Sequence, residues 1–271
     1  MGIDSLFLYS IMKVTDQLNR TIKIPDNCQR IVSLVPSQTE LLVELGLEDK
    51  LVGVTKFCIH PKGLKNAKTI IGGTKNFNFD VIHQLKPDLL IGNKEENYKE
   101  GIEELEKQYA VWMSDIYTLQ DAKSMIAQIG VITKTEKKST ELLEAIQYEE
   151  SKLRVQPAKS VLYFIWKNPY MVAGSNNYIN DMLRLNGFHN VCNSEDFSRY
   201  PSLSGPEITE LNPEVVLLSS EPYPFREKHK SEIQELVPNA EIKIVDGELY
   251  SWYGSRIIKA LQTFNTDGNK Q

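Results

Sequence analysis

LKPDLLIGN at residues 85–93 and LNPEVVLLSS at residues 211–220 say nearly the same thing twice. In each, a leucine closes the last turn of a helix and a proline prevents its continuation. An almost wholly apolar run then suits a strand buried on both faces. Each copy lies deep inside its own stretch of roughly a hundred residues, the size of a small domain. The repeat therefore predicts an α/β protein of two lobes, each a mostly parallel sheet flanked by helices, with a ligand cleft between them.

Working outward, RIVSLV (30–35) reads as the first buried strand and SQTELLVELGL as a helix, with Ser37 as N-cap, Glu40 three residues on and Gly46 as the stop. KLVGVTKF (50–57), DLLIGN and AVWMS read as strands, and FDVIHQL and YKEGIEELEKQ as helices between them. Ahead of them VTDQLNRTIKIP (14–25) reads as a hairpin turning at Leu18 and Asn19. From Thr118 the strand signals cease. TLQDAKSMIAQIGVIT opens on a capping pair, Thr118 and Asp121, and EKKSTELLEAIQYEESKL reads as a spine helix reaching about 30 Å at ~1.5 Å per residue. Alternation resumes with SVLYFIW (160–166), a helix around NYINDMLRLNG, EVVLLSS and EIKIVDG. The expected organisation is an extension and hairpin over 1–29, a lobe over 30–117, connecting helices over 118–157, a second lobe over 158–264 and a disordered tail over 265–271.

Of the 271 residues 41% are apolar and 25% charged, with a net charge of −5, which fits a globular protein and argues against a nucleic-acid footprint. Cys28, Cys58 and Cys192 form no CxxC pair and read as free thiols, not a disulfide framework or a structural zinc site. MGIDSLFLYSIMKV lacks a basic leader and a small-residue cleavage site, so it does not read as a signal peptide. No apolar run approaches the ~18 residues that would span a bilayer. The expectation is a monomer that does not span a membrane, with cytoplasmic and extracytoplasmic locations both open.

Several segments carry candidate chemistry. GGTKN (72–76), with Lys75, offers backbone N–H groups and a charge to an anion, but the GxxxxGK[ST] spacing is missing, and a tight loop lining the cleft is the alternative. Cys58 and His60 in KFCIHP follow a strand end, where ligands approach α/β sheets, and so form a candidate metal contact or nucleophile–base pair. Two residues are too few to close a metal site, and no HExxH or GxSxG accompanies them. His83 falls within a helix and reads as structural. Trp166, Tyr170, Tyr178, Arg199, Tyr200, Tyr223, Phe225, Trp252, Tyr253 and Arg256 follow the second-lobe strands and suit a flat ligand, with simple packing as the alternative. Glu95, Glu96 and Asn97 either rim the same cleft or form a solvated turn.

RIVSLVPSQTELLVELGL, LVGVT, LKPDLLI, GSNNYINDMLRLNG and LNPEVVLL, in this order, resemble the class III, helical-backbone substrate-binding proteins of ABC transporters, over roughly residues 13–262. Closest in layout is the cobalamin-binding branch, and KFCIHP, GGTKN and the KEEN turn look like the helical-backbone metal receptors. The resemblance implies no catalysis and no resident cofactor. It implies a cargo such as a cobalamin-like corrinoid, haem or ferric siderophore, passed to a membrane permease. Docking in that family uses one acid per lobe, a geometry in which charge sets register. The first position falls on Asp80, seven residues before Pro87; the second falls on Pro206, with Glu207 beside it. Phe57 keeps an aromatic wall position that Thr74 does not, Trp252 matches a family tryptophan, and His60 becomes a candidate axial ligand to the cargo's metal. Alternatives are a cytoplasmic corrinoid or metal-chelate carrier or sensor without a permease, and an enzyme using Cys58 and His60.

Overall fold

The structure is a computed structural model describing residues 10–154 and 158–267. It divides into two units, the first running to Asp115 and including Lys123–Leu143, the second comprising Ile116–Ala122 and everything from Glu144.

Unit 1 begins with the hairpin β1 (Ile11–Thr15) and β2 (Thr21–Pro25), paired antiparallel from Ile11↔Pro25 to Thr15↔Thr21. The chain reverses through Asn19, at φ 59°, inside the predicted turn. The buried Asp16 carboxylate fixes the reversal by accepting from the Leu18 and Arg20 N–H groups at 3.0 and 2.9 Å. Next come β3 (Ile31–Ser33), α1 (Pro36–Glu44), β4 (Leu51–Val54), α2 (Leu64–Ala67), β5 (Thr69–Ile70), β6 (Gly72–Gly73) and β7 (Asn76–Phe77). After them come α3 (Phe79–Leu85), β8 (Leu89–Asn93), α4 (Lys99–Glu106) and β9 (Val111–Ser114). The sheet runs β5-β4-β3-β8-β9, all parallel. Ile31, Val32, Leu89, Leu90, Ile91 and Trp112 are fully buried, each aliphatic contributing about 1.5–3 kcal/mol of burial. At α1 the expected cap is corrected. Val35 is the N-cap, without a side-chain bond, and Pro36 takes the first turn, where its fixed φ suits the helix; Ser37 is buried one position inside. Gly46, at φ 80°, ends the segment as expected.

Two helices follow, α5 (Leu119–Thr133) and α6 (Glu136–Ser151). Thr118 and Asp121 cap α5 reciprocally, with bonds of 2.9 Å from the Thr118 N–H and 3.2 Å from the Asp121 N–H. The spine helix is α6, whose 16 residues span about 24 Å. The expected connecting segment also includes residues 155–157, which lie outside the described residues.

Unit 2 contains β10 (Lys159–Trp166), β11 (Tyr170–Val172), α7 (Tyr178–Leu185), β12 (Phe188–Asn190), β13 (Ser202–Leu203) and α8 (Gly205–Leu211). Beyond these lie β14 (Val215–Ser219), α9 (Lys230–Leu236), β15 (Glu241–Val245), α10 (Glu248–Ser251) and α11 (Ile257–Asp267). The order is β13-β11-β10-β14-β15, with β12 also beside β10. β10, β12, β14 and β15 are parallel, whereas β11 and β13 are antiparallel additions of three and two residues that left no readable alternation. α11 keeps residues 265–267 helical, correcting part of the expected disordered tail; residues 268–271 lie outside the described residues.

The repeated motif has one construction in both units. α3 and α8 end on left-handed residues, Lys86 at φ 44° and Asn212 at φ 39°, followed by Pro87 and Pro213. The acid after each proline then ties down the start of the neighbouring strand. Asp88 accepts from the Gln29 and Arg30 N–H groups at 2.8 and 2.9 Å, and Glu214 from the Ser160 N–H and hydroxyl at 2.7 and 3.0 Å. In register, Ile31 pairs with Leu89 and Val161 with Val215, so each acid holds the N–H just before the first paired residue. Pro-acid thus ends a helix and sets a strand's register.

Candidate functional site

In unit 1 the residues of interest gather at the carboxyl ends of β4 and β8. GGTKN is a hairpin: Gly72 pairs with Phe77 and Gly73 with Asn76, leaving Thr74 and Lys75 as a two-residue turn. Gly72 sits at φ 103°, and a Cβ there would lie 2.4 Å from the Asn76 carbonyl oxygen, so the glycine serves the turn and not a phosphate. Asn97, buried, joins three loops. Its Nδ2 donates to the Leu34 and Thr74 carbonyls, each at 3.1 Å, and its Oδ1 accepts from the Asn93 N–H at 2.9 Å. Asn93 Oδ1 in turn accepts from the Glu95 and Glu96 N–H groups at 2.8 and 3.0 Å. Lys75 Nζ donates to the Glu95 carbonyl at 2.6 Å. Phe57 lies beside this hairpin, 3.2 Å from where a Gly73 methyl would stand, and is 50% exposed. The structure therefore brings Phe57, Thr74, Lys75, Glu95 and Asn97 together.

Cys58 is corrected. It is fully buried, its Sγ 3.1 Å from Thr39 Oγ1 and 3.3 Å from Thr55 Oγ1, and burial pushes its pKa up, favouring the thiol over the nucleophilic thiolate. It packs beneath the loop and presents nothing to a ligand. His60, half-buried, stands at the loop's end. Among the described residues no three His, Cys, Asp or Glu side chains come together in a group that could hold a metal ion.

Unit 2 splits its candidates. Trp166, 40% exposed at the end of β10, meets Tyr223 edge-on at 5.6 Å between ring centroids, and Tyr223 meets Phe225 at 4.7 Å. The Tyr170 hydroxyl donates to Glu232, which also pairs with Lys167. Arg199, half-buried beside Tyr200, holds its guanidinium 4.5 Å from the Tyr117 ring. Its carbonyl accepts from the Gly174 N–H and Asn177 Nδ2 at 3.0 and 2.8 Å, anchoring the loop. Tyr178, Tyr253 and Trp252 are buried, correcting the expectation of an open wall at these positions. Tyr178 packs edge-on against Tyr253 at 5.8 Å. Trp252, 8% exposed, has Arg256 5.1 Å from its ring centroid, and Arg256 is paired with Glu248 at 2.9 Å. They support the surface from within.

Glu221 was not singled out from sequence. Lying just past β14, its Oε1 accepts from Ser251 Oγ at 2.7 Å and Trp252 Nε1 at 2.9 Å. Its sequence signal is an acid two serines after the apolar run of the second repeat.

The two docking candidates differ. Asp80 is exposed in the first turn of α3, whose N-cap Asn78 accepts from the Val81 N–H at 3.2 Å. Glu207 folds back as the third residue of a capping box, accepting from the Ser204 N–H and hydroxyl at 2.7 and 2.6 Å, bonds that hold its pKa below the usual carboxylate range.

Two α/β units with aromatic and hydrogen-bonding groups on their strand-end loops define a binding protein class. The profile described as "Periplasmic binding protein" matches residues 31–243, and the chain belongs to that family. An uncharacterized ABC transporter substrate-binding lipoprotein of Bacillus subtilis (strain 168) is 26% identical over 265 residues, 92% of this chain and 82% of its own. A vitamin B12-binding protein of Vibrio campbellii (strain ATCC BAA-1116) is 24% identical over 196 residues, 70% of each chain. The crystal structure of a periplasmic haem-binding protein of Vibrio cholerae is 26% identical, with a TM-score of 0.73, covering 88% of this chain and 98% of that one. Among the described residues no helix is long and apolar enough to cross a membrane.

Proposed function

We propose that this protein is the substrate-binding component of an ABC importer for a metal chelate: a cobalamin-like corrinoid, haem or a ferric siderophore. The observation that carries this reading is the likeness, over most of the chain, to proteins described as binding vitamin B12 and haem. The surfaces support it. Phe57 and Trp166 each offer an exposed aromatic ring, Thr74, Lys75 and Glu95 gather beside Phe57, and Arg199 and Tyr200 add polar groups elsewhere in unit 2. His60 is the candidate axial ligand to the cargo's metal. Capture without turnover is part of this reading, and it is favoured over a Cys58–His60 enzyme by the burial of Cys58, which pushes the thiol pKa up. Of the docking acids Asp80 meets a permease arginine directly, whereas Glu207 must first give up its bonds to Ser204. The protein works outside the cytoplasm, as its relatives described as lipoprotein and periplasmic do.

The test is thermal unfolding of the purified protein with cyanocobalamin, haemin or a ferric siderophore. The expected outcome is stabilisation by about 2.7 kcal/mol at a hundredfold excess over Kd for one of them. No shift with any of the three overturns the proposed cargo. Fractionating cells and sequencing the mature amino terminus tests the location, and an intact Met1 in the cytosol refutes it.

A further inference from the structure

The Glu221 carboxyl links the segments that follow two neighbouring strands. Its own segment leaves β14, where the Glu221 N–H reaches Ser219 Oγ at 3.4 Å and Ser219 Oγ donates to the Glu221 carbonyl. Its side chain reaches the segment after β15, taking both the Ser251 hydroxyl and the Trp252 indole N–H on Oε1. A further bond, from the Gly247 N–H to Ser220 Oγ at 3.0 Å, joins the same two segments. Two residues beyond Glu221, Tyr223 supports the exposed Trp166. Glu221 is thus bonded to the buried Trp252 and lies two residues before the half-buried Tyr223.

We propose that Glu221 is a positioning residue of the unit 2 binding surface, a proton-responsive latch that holds Trp252 and, through its own loop, sets Tyr223 under Trp166. The binding role rests on the proposed function; the latch itself does not. Its chemistry follows from which oxygen is used. Because Oε1 accepts both bonds, Oε2 can take a proton without breaking either. The charged groups facing it are the Asp246 and Glu248 carboxylates, each with its own cation, Lys259 at 3.5 Å from Asp246 and Arg256 at 2.9 Å from Glu248. Tyr163, hydrogen-bonded to Ser219 at 3.1 Å, and Tyr250 lie below. Burial first, then repulsion from Glu248 and Asp246, push the Glu221 pKa up, against the bonds from Ser251 and Trp252 that favour the ionised form. With the native pKa raised, ionisation carries a penalty above it that lifts as pH falls through it. Protonation removes the repulsion but leaves Ser251 and Trp252 bonded to a neutral acceptor, which holds them less strongly than the carboxylate does, so the latch loosens on acidification.

The test follows the Trp252 indole N–H by nuclear magnetic resonance in ligand-free, ¹⁵N-labelled protein, its peak assigned with W252F. The expected result is a pH-dependent shift with a midpoint above the ordinary glutamate value of about 4.3, abolished in E221Q, whose amide oxygen still accepts both bonds. S251A, removing one bond to the ionised form, raises the midpoint further. A peak that does not titrate, titrates identically in E221Q, or keeps its midpoint in S251A overturns the proposal. Since no ligand is present, this readout survives failure of the chelate reading. Where haemin or cyanocobalamin binds, E221L weakens it about tenfold or more and E221Q by less than about twofold, a tenfold change being about 1.4 kcal/mol. Equal affinity in E221L and the parent overturns the positioning role.

Discussion

Replacing Arg256 with methionine tests how unit 2 is held together behind its candidate surface. The Arg256 and Glu248 side chains are 8% and 14% exposed and lie 2.9 Å apart, so R256M deprives a largely buried carboxylate of a cation in direct contact. Removing one partner of such a pair costs about 3–5 kcal/mol, whereas an exposed pair is worth under about 1 kcal/mol. The contact of the guanidinium with Trp252 adds about 0.5–1 kcal/mol. A loss of about 4 kcal/mol corresponds to about 8–16 °C in Tm for a protein of this size class. Far-ultraviolet circular dichroism during heating, supported by urea denaturation, measures it. The double variant R256M/E248L removes both charges and should recover more than half of the loss. A loss below about 1 kcal/mol in R256M, or a double variant no better than the single, refutes the account of a desolvated pair under the surface.

Asn97→Ala removes three bonds joining the Leu34, Thr74 and Asn93 loops, so urea denaturation should show a loss of about 3 kcal/mol, at about 1 kcal/mol per bond. Glu232 has its pKa lowered, first by Lys167 and then by Tyr170. A depressed carboxyl contributes stability above its unfolded pKa and loses it as pH falls through the native one, so E232Q should flatten the acid side of the Tm–pH profile. Burial pushes Cys28 up to about 11 and Cys192 up to about 12, and raises Cys58 as well. Iodoacetamide at neutral pH should therefore label all three buried thiols only after unfolding, counted by mass spectrometry.

The fold was legible because the Leu-x-Pro-acid repeat marks a helix end and a doubly buried strand through local chemistry alone. The purpose of its acid was not legible, because Asp88 and Glu214 act on residues more than fifty positions away. The hairpin at Asn19, the Thr118–Asp121 cap and the Gly46 stop were read correctly because each is satisfied within a few residues. Ser37 misled because Pro36 starts the helix two residues earlier than a Ser37 cap would, and β11 and β13 were too short for a period to show. At the candidate site residue type was readable but burial was not. Cys58 looks reactive and Trp252 looks like a wall until packing places both inside. Glu221 escaped because its importance lies in two partners thirty residues further along the chain.

Capture of a metal chelate is best measured by visible-absorbance titration of the purified protein with haemin, cyanocobalamin and a ferric siderophore. The expected result is a saturable spectral change or retained pigment at one-to-one stoichiometry for one of the three, weakened when Phe57 or Trp166 is replaced by alanine. Free passage of all three pigments through gel filtration, with unaltered spectra, would contradict it.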